Sequence, residues 1–368
     1  MAKRILFLTP EFPPSPGGIG NHGYNLTNSL SKMGYDVRVL TGLGNSSAAE
    51  AKKIQDDCKF SITYVKEQAL FPVQSRRILK AFYIMFRFKP EVVLCSGRFS
   101  FWIGRLLMLF YKSPQFICII HGNVSSKERY RFITRASLKG FKTLVSVSAF
   151  TQSFIQPKYR HQTHVVIPNA IDMEDLLPYK LLQKKKLKGN PALLTVGNVT
   201  LRKGQQNVIK ALPEILKLYP EAHYHCVGLD SRTVENSQLA KELKVDKHVT
   251  FHGKLSKPEL MAAYNGCDVF LMMSETQPNG DFEGFGIAIL EANFFGKPAI
   301  GSAGCGIEDA IDHGKTGYKV ANNNPTEITE AVKGILSDYK AMSNEAVKWA
   351  TKHNWDEVAE RYIKLFNR

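Results

Sequence analysis

The sequence predicts an α/β protein of two doubly wound domains, each a parallel sheet covered by helices, facing a central cleft. Three observations support this prediction. The chain has 368 residues, which is more than one core usually contains. Short apolar segments alternate with helical ones, and this alternation occurs twice along the chain. Ligands of such folds lie beyond the carboxyl ends of the strands, so we expect the binding site in the cleft.

The first half begins with an apolar strand at Arg4–Thr9, followed by a loop rich in proline and glycine. A helix is predicted from about Asn21 to Met33, and Gly34 ends it. The alternation of apolar and helical segments then continues and indicates a parallel sheet with crossover helices. The later strands are predicted at Tyr35–Thr41, Glu91–Cys95, Gln115–Ile120, Thr143–Val147 and His164–Ile167.

The second half repeats this order after a basic segment, Gln183–Gly189. A helix is predicted at about Gln205–Leu218. The strands are predicted at Ala192–Val196, Ala222–Val227, Val249–Phe251, Val269–Met272 and Pro298–Gly301. The last stretch, Asn344–Phe366, is helical and contains two tryptophans, so we expect it to pack back across the first domain.

The composition indicates a soluble globular protein with a strongly basic surface. The hydrophobic fraction is 44%, and 49 Lys and Arg against 33 Asp and Glu give a formal net charge of +16. This charge favours a polyanionic partner, either nucleic acid, anionic lipid or a phosphorylated substrate, although a merely lysine-rich surface also explains it. The six cysteines form no Cys-x-x-Cys pair and are interpreted as reduced core thiols of a cytosolic protein.

No segment reaches the roughly 18–20 uninterrupted apolar residues that a membrane-spanning helix needs. The apolar stretch near the N-terminus is also too short for a signal peptide. We therefore expect a protein that does not cross the membrane.

The strongest functional signal is a pair of glutamates with seven residues between them, Glu283-Gly-Phe-Gly-Ile-Ala-Ile-Leu-Glu291. A buried helix is predicted over Phe285–Phe295, which puts Glu283 just ahead of the helix. Glu291 then lies inside it, roughly 9 Å along the axis. The free amides at the helix start form an anion site. They belong to Gly284, Phe285 and Gly286.

A nucleotide-sugar matches this spacing. The diphosphate would lie on the amides, with Glu283 bonding hydroxyls of the transferred sugar and Glu291 bonding the ribose diol. The alternative makes Glu283 a helix-start acid and Glu291 a solvated helix residue. Because the helix around Glu291 is apolar on all sides and an unpaired buried carboxylate is costly, the functional interpretation is favoured.

A second signal is the turn Val196-Gly-Asn-Val-Thr-Leu-Arg-Lys-Gly204 between a predicted strand and a predicted helix. It places Arg202 and Lys203 at the carboxyl end of the strand. Cations aimed at a leaving diphosphate can neutralise it without a metal ion. Taken alone the turn is a weak signal, because most turns of this kind are solvated loops.

Two weaker signals lie in the first half. The turn Pro16-Gly-Gly-Ile-Gly-Asn21 lacks the dinucleotide fingerprint, but its glycines let the backbone approach a phosphate or an acceptor closely. A plain turn explains it nearly as well. His121 ends a predicted strand, where it is either structural or able to bond a donor sugar across the cleft.

In their order along the chain these motifs resemble glycosyltransferase family 4, nearly from end to end. The stretch from Asn279 to Glu291 is most similar to mannosyltransferases acting on phosphoinositide lipids and to their bacterial surface-polysaccharide relatives. The supporting segments are PGGIG at 16–20, IHG at 120–122, VSVSAFTQSFI at 145–155, VIPNAID at 166–172, VGNVTLRKG at 196–204, FHGKLSKPELMAAYNGCDVFLMMS at 251–274 and DFEGFGIAILEANFFGKPAIGS at 281–302.

The resemblance implies a GT-B fold of two Rossmann-like domains. Residues 1–175 would bind the acceptor, residues 190–343 would bind the nucleotide-sugar, and residues 344–368 would pack back on the first domain. The implied reaction moves a hexose from a UDP-sugar or GDP-mannose to a lipid-linked or surface-polysaccharide acceptor, with retention of configuration. It would need no metal or other cofactor, and no Asp-x-Asp metal motif is apparent in the sequence. The leaving phosphate oxygen would serve as the base, so no carboxylate pair is needed.

The resemblance also implies roles for single residues. His121, Glu283, Lys203 and Arg202 form the predicted catalytic set, with Glu283 and His121 at the donor sugar and Lys203 at the diphosphate. Glu291 would bind the ribose. The backbone at Gly253, Lys254 and Leu255 would meet the base, and Gly18 would meet the phosphates or the acceptor. Asn198 stands where the family commonly has arginine, which leaves Arg202 as the candidate to supply that charge.

Two other functions stay open. A nucleotide-sugar 2-epimerase on the same fold needs several carboxylates for proton abstraction and water addition, and the glutamate pair fits transfer better. A basic nucleic-acid-binding protein would explain the charge, but no helix-turn-helix, zinc finger or RNP-like aromatic motif is visible.

Residues Ser75–Lys89 form a predicted amphipathic helix. The cations Arg76, Arg77 and Lys80 are expected to touch anionic lipid, which would make the protein cytoplasmic and peripheral on the inner face of the membrane. A crossover helix with solvated cations is the alternative. The predicted apolar stripe is Ile78, Leu79, Phe82, Met85 and Phe86.

Overall fold

The computed structural model describes residues 3–15, 17–66, 73–122, 131–181, 186–229 and 232–367, with only the backbone of Val73 and Arg131. The chain divides into two compact units. The first consists of Met1–Asn169 and Trp355–Arg368, and the second of Ala170–Asn354. The basic segment 183–189 lies partly outside the described residues.

Seven parallel strands form the sheet of the first unit, in the order β3-β2-β1-β4-β5-β6-β7. The central strand β1 is buried on both faces, as strands of parallel sheets with helices on each side are. The strands are β1 (Arg4–Leu8), β2 (Asp36–Gly42), β3 (Ser61–Val65), β4 (Val92–Ser96), β5 (Gln115–Ile120), β6 (Thr143–Ser146) and β7 (Thr163–Val166).

Helices connect these strands and bury their apolar faces on the sheet. They are α1 (Gly18–Lys32), α2 (Ala48–Asp57), α3 (Val73–Phe88), α4 (Arg98–Phe110), α5 (Arg131–Leu138) and α6 (Ala149–Ile155). Among the described helices of the chain, none is both long enough and apolar enough to cross a membrane.

The second unit has a six-stranded parallel sheet in the order β10-β9-β8-β11-β12-β13. Its strands are β8 (Ala192–Val196), β9 (His223–Val227), β10 (Val249–Phe251), β11 (Val269–Met272), β12 (Ala299–Ser302) and β13 (Gly317–Val320). Its helices are α7 (Met173–Lys180), α8 (Gln205–Leu218), α9 (Thr233–Glu242), α10 (Lys257–Gly266), α11 (Ile287–Phe294), α12 (Pro325–Ser337) and α13 (Tyr339–Lys352). Two doubly wound units confirm the predicted fold class.

The predicted strands lie within about two residues of the observed ones. The edge strands β3 and β13 are absent from the prediction. Their residues are only partly buried, so their sequences lack the continuous apolar run of the central strands.

The last helix, α14 (Trp355–Phe366), belongs to the first unit and packs on α1. The Lys3 ammonium donates to the Phe366 carbonyl at 2.7 Å, and the Gln115 side chain donates to the Leu365 carbonyl at 2.9 Å. The prediction began this returning segment at Asn344. In the structure residues 344–352 belong to α13, which packs on α11 of the second unit, because the helix breaks before Trp355.

The predicted contact of Arg77 in helix α3 with lipid is wrong. The guanidinium of Arg77 is buried, donates to the Thr9 carbonyl and lies 5.0 Å from the centre of the Phe99 ring. Burial lowers its pKa to about 10. Arg77 therefore stabilises the first unit and does not face solvent.

The predicted apolar stripe of α3 is also divided between two faces. Met85 is buried in the core, and Ile78 and Phe82 pack against the core. Leu79 and Phe86 point to solvent instead, because the helix turns them away from the sheet.

Two buried tyrosines, one in each unit, differ in whether the hydroxyl group has a hydrogen-bond partner. Tyr362 of α14 is fully buried, and its hydroxyl has no hydrogen-bond partner within the described chain. Tyr224 of β9 is equally buried, but its hydroxyl donates to Thr195 Oγ1 at 2.8 Å. We expect Tyr362→Phe to be neutral or stabilising and Tyr224→Phe to lower the free energy of unfolding by about 1 kcal/mol. Urea unfolding measures both, and a larger loss for Tyr362→Phe contradicts the assignment.

Candidate active site

The turn after β8 holds Arg202 and Lys203 at the carboxyl edge of the second sheet. Leu201–Lys203 form a single 3-10 turn that begins at Thr200, whose hydroxyl accepts from the Lys203 amide. Gly204 follows with φ of +74°, and an added Cβ would lie 1.7 Å from the Met273 carbonyl oxygen. This turn therefore requires glycine at 204. Because Gly204 directly follows Arg202 and Lys203, it also fixes the position of their backbone.

Both cations contact Glu283. Lys203 Nζ lies 2.7 Å from Glu283 Oε2, and Arg202 Nη1 lies 2.5 Å from the same oxygen. The Arg202 Nε also lies 3.6 Å from a carboxylate oxygen of Asp281. The Glu283 side chain is 14% exposed. Burial by itself would raise the pKa of this carboxyl, but the attraction of Lys203 and Arg202 outweighs it and lowers the pKa, so Glu283 is ionised.

The backbone after Glu283 forms a turn that leads into helix α11. Gly286 precedes the helix with φ of +83°, and no side chain caps the helix. The Gly306 amide donates to the Glu283 carbonyl at 2.9 Å. Helix α11 begins at Ile287, two residues later than predicted. The amides of Gly284, Phe285 and Gly286 consequently belong to the turn that leads into the helix, and the buried Phe285 ring anchors that turn.

Glu291 lies in the middle of α11 and is paired. The Tyr264 hydroxyl of α10 donates to Glu291 Oε2 at 2.6 Å. Burial raises the pKa of the Glu291 carboxyl, and the Tyr264 bond only partly offsets this. Tyr264 is absent from the sequence prediction, because its distance of 27 residues along the chain leaves no local signal.

The loops after β8, β9 and β10 are bonded to one another. The Leu229 amide donates to Asn198 Oδ1 at 3.3 Å, and the Gly228 amide donates to the Gly253 carbonyl at 2.9 Å. Gly253 has φ of +66°, with open space where a Cβ would lie. Asn198 thus links two loops, while Gly253, Lys254 and Leu255 leave the sheet at the same edge as Arg202.

His121 and Gly18, the remaining predicted site residues, lie in the first unit. His121 follows β5, and its Nε2 lies 2.9 Å from the hydroxyl of Ser96 at the end of β4. Burial lowers the pKa of His121 to about 4, so the ring is neutral near pH 7. Sequence reasoning missed Ser96, which carries no motif.

Gly18 begins α1, where a Cβ would meet open space. Glu11 Oε1 accepts from the amides of Ile19 and Gly20 at 3.1 and 3.2 Å. A side-chain carboxylate therefore occupies two of the amides that the glycine turn offers to an anion. Pro16 of the predicted turn lies outside the described residues.

A polar cavity of about 340 Å³ opens at the same edge of the second sheet. None of the predicted site residues lines it. The lining residues follow β11, β12 and β13, and they are Ser274, Glu275, Thr276, Ala303, Gly304, Cys305, Asn322 and Asn323.

The fold is that of the two-domain glycosyltransferases called GT-B. A glycosyltransferase from Rickettsia africae has a similar fold, with a TM-score of 0.79 and 18% identity over 99% of this chain and 98% of that one. The HepE protein of Anabaena in complex with UDP-glucose has a TM-score of 0.75 and 17% identity over 99% of both chains. At these identities the similarity concerns the fold alone.

Two family models match the chain. The model described as Glycosyltransferase Family 4 matches residues 16–175, and the model described as Glycosyl transferases group 1 matches residues 180–354. The chain therefore belongs to the glycosyltransferases that these two models describe. This confirms the family predicted from the ordered motifs.

A curated relative is the GDP-mannose-dependent alpha-(1-6)-phosphatidylinositol monomannoside mannosyltransferase of Mycobacterium tuberculosis. It is 28% identical over 242 residues, an alignment that covers 63% of this chain and 63% of the relative. The chain thus spans less than two thirds of that relative's length.

Proposed function

We propose that this chain is a retaining hexosyltransferase that uses a UDP-sugar or GDP-mannose as donor. The observation that carries the proposal is the contact of one Glu283 oxygen with both Lys203 and Arg202, at the turn that leads into α11. This turn brings together two cations, backbone amides and a carboxylate, the groups that a sugar diphosphate needs. The donors named for the mannosyltransferase relative and the HepE complex support these two classes of nucleotide-sugar.

The donor diphosphate competes with Glu283 for the two cations. When it binds Lys203, Arg202 and the amides before α11, the Glu283 carboxylate is released and bonds hydroxyls of the transferred sugar. Glu291, oriented by Tyr264, accepts from the ribose hydroxyls. The loop that begins at Gly253 meets the base.

The acceptor hydroxyl oxygen attacks the anomeric carbon as the bond from that carbon to the diphosphate oxygen breaks. The hydroxyl proton passes to the leaving diphosphate, and attack on the face of departure retains the configuration. Lys203 and Arg202 stabilise the charge that develops on the diphosphate, which is the electrostatic role a metal ion fills in other transferases. Neutral His121 bonds a hydroxyl of the donor sugar. The comparisons give no support to the epimerase alternative.

The two glutamates are expected to affect different steps. Glu291→Ala should weaken binding of UDP or GDP as well as of the whole donor, by about tenfold, because a charged hydrogen bond to ribose is lost. Glu283→Ala should leave nucleotide affinity within about threefold, since both cations stay available, yet lower kcat by about 10²-fold or more.

Calorimetry with UDP and GDP, together with turnover of UDP-glucose and GDP-mannose, separates these effects. The exposed Glu330 of α12 provides the control, and Glu330→Ala should behave as the wild type. An equal loss of nucleotide affinity in both site variants would refute the division of roles.

Transfer is expected to continue without divalent metal. Treatment with EDTA followed by gel filtration should leave at least about half of the initial rate, because Lys203 and Arg202 supply the charge. Proton NMR of the product in the same assay reports its anomeric configuration. A rate that disappears and returns only with Mg²⁺ or Mn²⁺ contradicts the proposal.

The acceptor is proposed to be a lipid-linked or surface polysaccharide met at the inner face of the cytoplasmic membrane. Leu79, Tyr83 and Phe86 follow one another on one face of α3 and are 69%, 60% and 68% exposed. Phe110 of α4 is 67% exposed, and its ring lies 5.3 Å from that of Phe82. These side chains form an apolar surface beside cations of the same helix. The cations are Arg76, Lys80 and Arg87.

Binding to vesicles should therefore need both the apolar face and the cations. The protein should co-sediment with anionic but not neutral vesicles at low salt. Replacing Arg76 and Lys80 with Gln should weaken binding by about 1 kcal/mol for each cation. Leu79→Ser with Phe86→Ser should weaken it further by removing buried apolar area.

Lys333→Gln with Lys348→Gln, at exposed positions of the second unit, provides the control of equal charge. A wild type that ignores anionic vesicles at low salt indicates a soluble acceptor.

A further inference from the structure

Four histidines outside the proposed catalytic set lie together at β9 and β10. His223 and His225 lie two residues apart on β9 and therefore on the same face of the strand. Their ring centroids are 4.8 Å apart, and the two residues are 2% and 3% exposed. His248 precedes β10, and its ring lies 6.4 Å from that of His223. His252 follows β10 and stacks on His225 at 5.2 Å. Four titratable rings thus occupy one side of the sheet edge.

The hydrogen bonds of His225 fix where its proton lies. Nε2 of His225 lies 2.8 Å from the Lys188 carbonyl oxygen, which can only accept, so Nε2 carries the hydrogen. Nδ1 of His225 lies 2.9 Å from Nε2 of His252. In a neutral ring this Nδ1 accepts, and His252 donates to it. A pair with one added proton keeps this bond, since the protonated ring can donate to the neutral one, so the bond between the rings is lost only when both rings are protonated.

This histidine pair lies beside the loop proposed to meet the base. His252 directly precedes Gly253, and its amide donates to the Cys226 carbonyl at 2.9 Å. The Gly253 carbonyl accepts from the Gly228 amide. The His252 side chain is therefore a third attachment of this loop to β9. Through His225 it also connects the loop to the segment at Lys188.

The charged and titratable groups that face the pair within the described part of the chain are basic. His223 lies on the same strand, His248 and His252 lie at the two ends of β10, and Lys188 comes from the segment before β8. Burial, followed by the charges of His252 and Lys188, lowers the pKa of His225 despite its bond to the Lys188 carbonyl. Burial also lowers the pKa of His252. Among the described residues, no carboxylate is a named influence on the pKa of either ring, so nothing there offsets the effect of burial through an opposite charge.

We propose that His225 and His252 are positioning residues for the donor nucleotide, whose neutral hydrogen-bonded pair holds Gly253–Leu255 in the shape that meets the base. Protonation of both rings puts a hydrogen on Nδ1 of His225 facing the N–H of His252, and the bond between the rings is lost. Donor affinity then decreases on the acid side. The inference depends on the proposed function, because it requires a nucleotide at this loop.

The inference is tested by how donor affinity changes as the pH is lowered. Because the pKa of both rings is lowered, affinity should be constant above the ordinary histidine value of about 6.5 and fall below it. His121 stays neutral down to about pH 5, since its pKa is about 4. Glu291, whose pKa is raised, titrates in every variant alike. The quantity to compare is therefore the difference between wild type and a His252 variant.

Calorimetry of the full chain with UDP-glucose and with GDP-mannose, from pH 7.5 to 5.0, provides the measurement. Both phosphates of these donors are esterified, so the ligands do not titrate in this range. The loss of one hydrogen bond predicts that wild-type affinity falls by about two- to tenfold more than that of His252→Gln. The amide of Gln donates to His225 at high pH and accepts from it at low pH, so His252→Gln should match the wild type at pH 7.5.

Two further variants complete the design. His252→Leu removes the bond at every pH and should bind about two- to tenfold more weakly already at pH 7.5, with no added loss on the acid side. His161→Gln changes an exposed histidine of the first unit and should keep the wild-type profile. A wild-type profile no steeper than that of either His252 variant overturns the inference while leaving the proposed function intact. Failure of both donors to bind at pH 7.5 contradicts the proposed function itself.

Discussion

The contact of Glu283 with Lys203 and Arg202 is the interaction on which the candidate site depends. It joins the turn after β8 to the turn before α11, two segments that lie 80 residues apart, from 203 to 283, along the chain. Two cations on one oxygen keep the carboxylate ionised although the site is largely buried. Neither the cations nor the carboxylate is left unpaired, which is the condition for placing charge in such an environment.

The same contact balances the charge of Lys203 and Arg202 within the chain itself. Glu283 occupies the cations that the proposed diphosphate needs, so the charges are balanced before a donor arrives. At the α1 turn Glu11 does the same for the amides of Ile19 and Gly20. In both places a side-chain carboxylate stands where the proposed anionic ligand would bind, so the proposed binding is an exchange of one anion for another. An exchange costs less than filling a site with unpaired charges.

The buried histidine rings are stabilised in their neutral form, unlike the charged groups of the candidate site. The buried rings of His121, His223 and His225 stay uncharged because burial lowers their pKa values, and hydrogen bonds to Ser96, Thr250 and the Lys188 carbonyl orient them. The carbonyl oxygen of Lys188 can only accept, so it gives Nε2 of His225 a defined role as donor. This allows histidine to serve as a positioning group close to the proposed nucleotide without adding charge to an already basic chain.

The sequence by itself determined the fold class, most strands and the family, because these follow from local patterns. Continuous apolar runs predict buried parallel strands, and an ordered set of motifs is specific even where each motif is weak. Only the tertiary structure decided which side chains meet. The bond from Tyr264 to Glu291, the burial of Arg77 beneath Thr9 and the pairing of His225 with His252 join residues from separate elements. Their distances along the chain leave no periodic trace, since strand order and helix rotation bring them together.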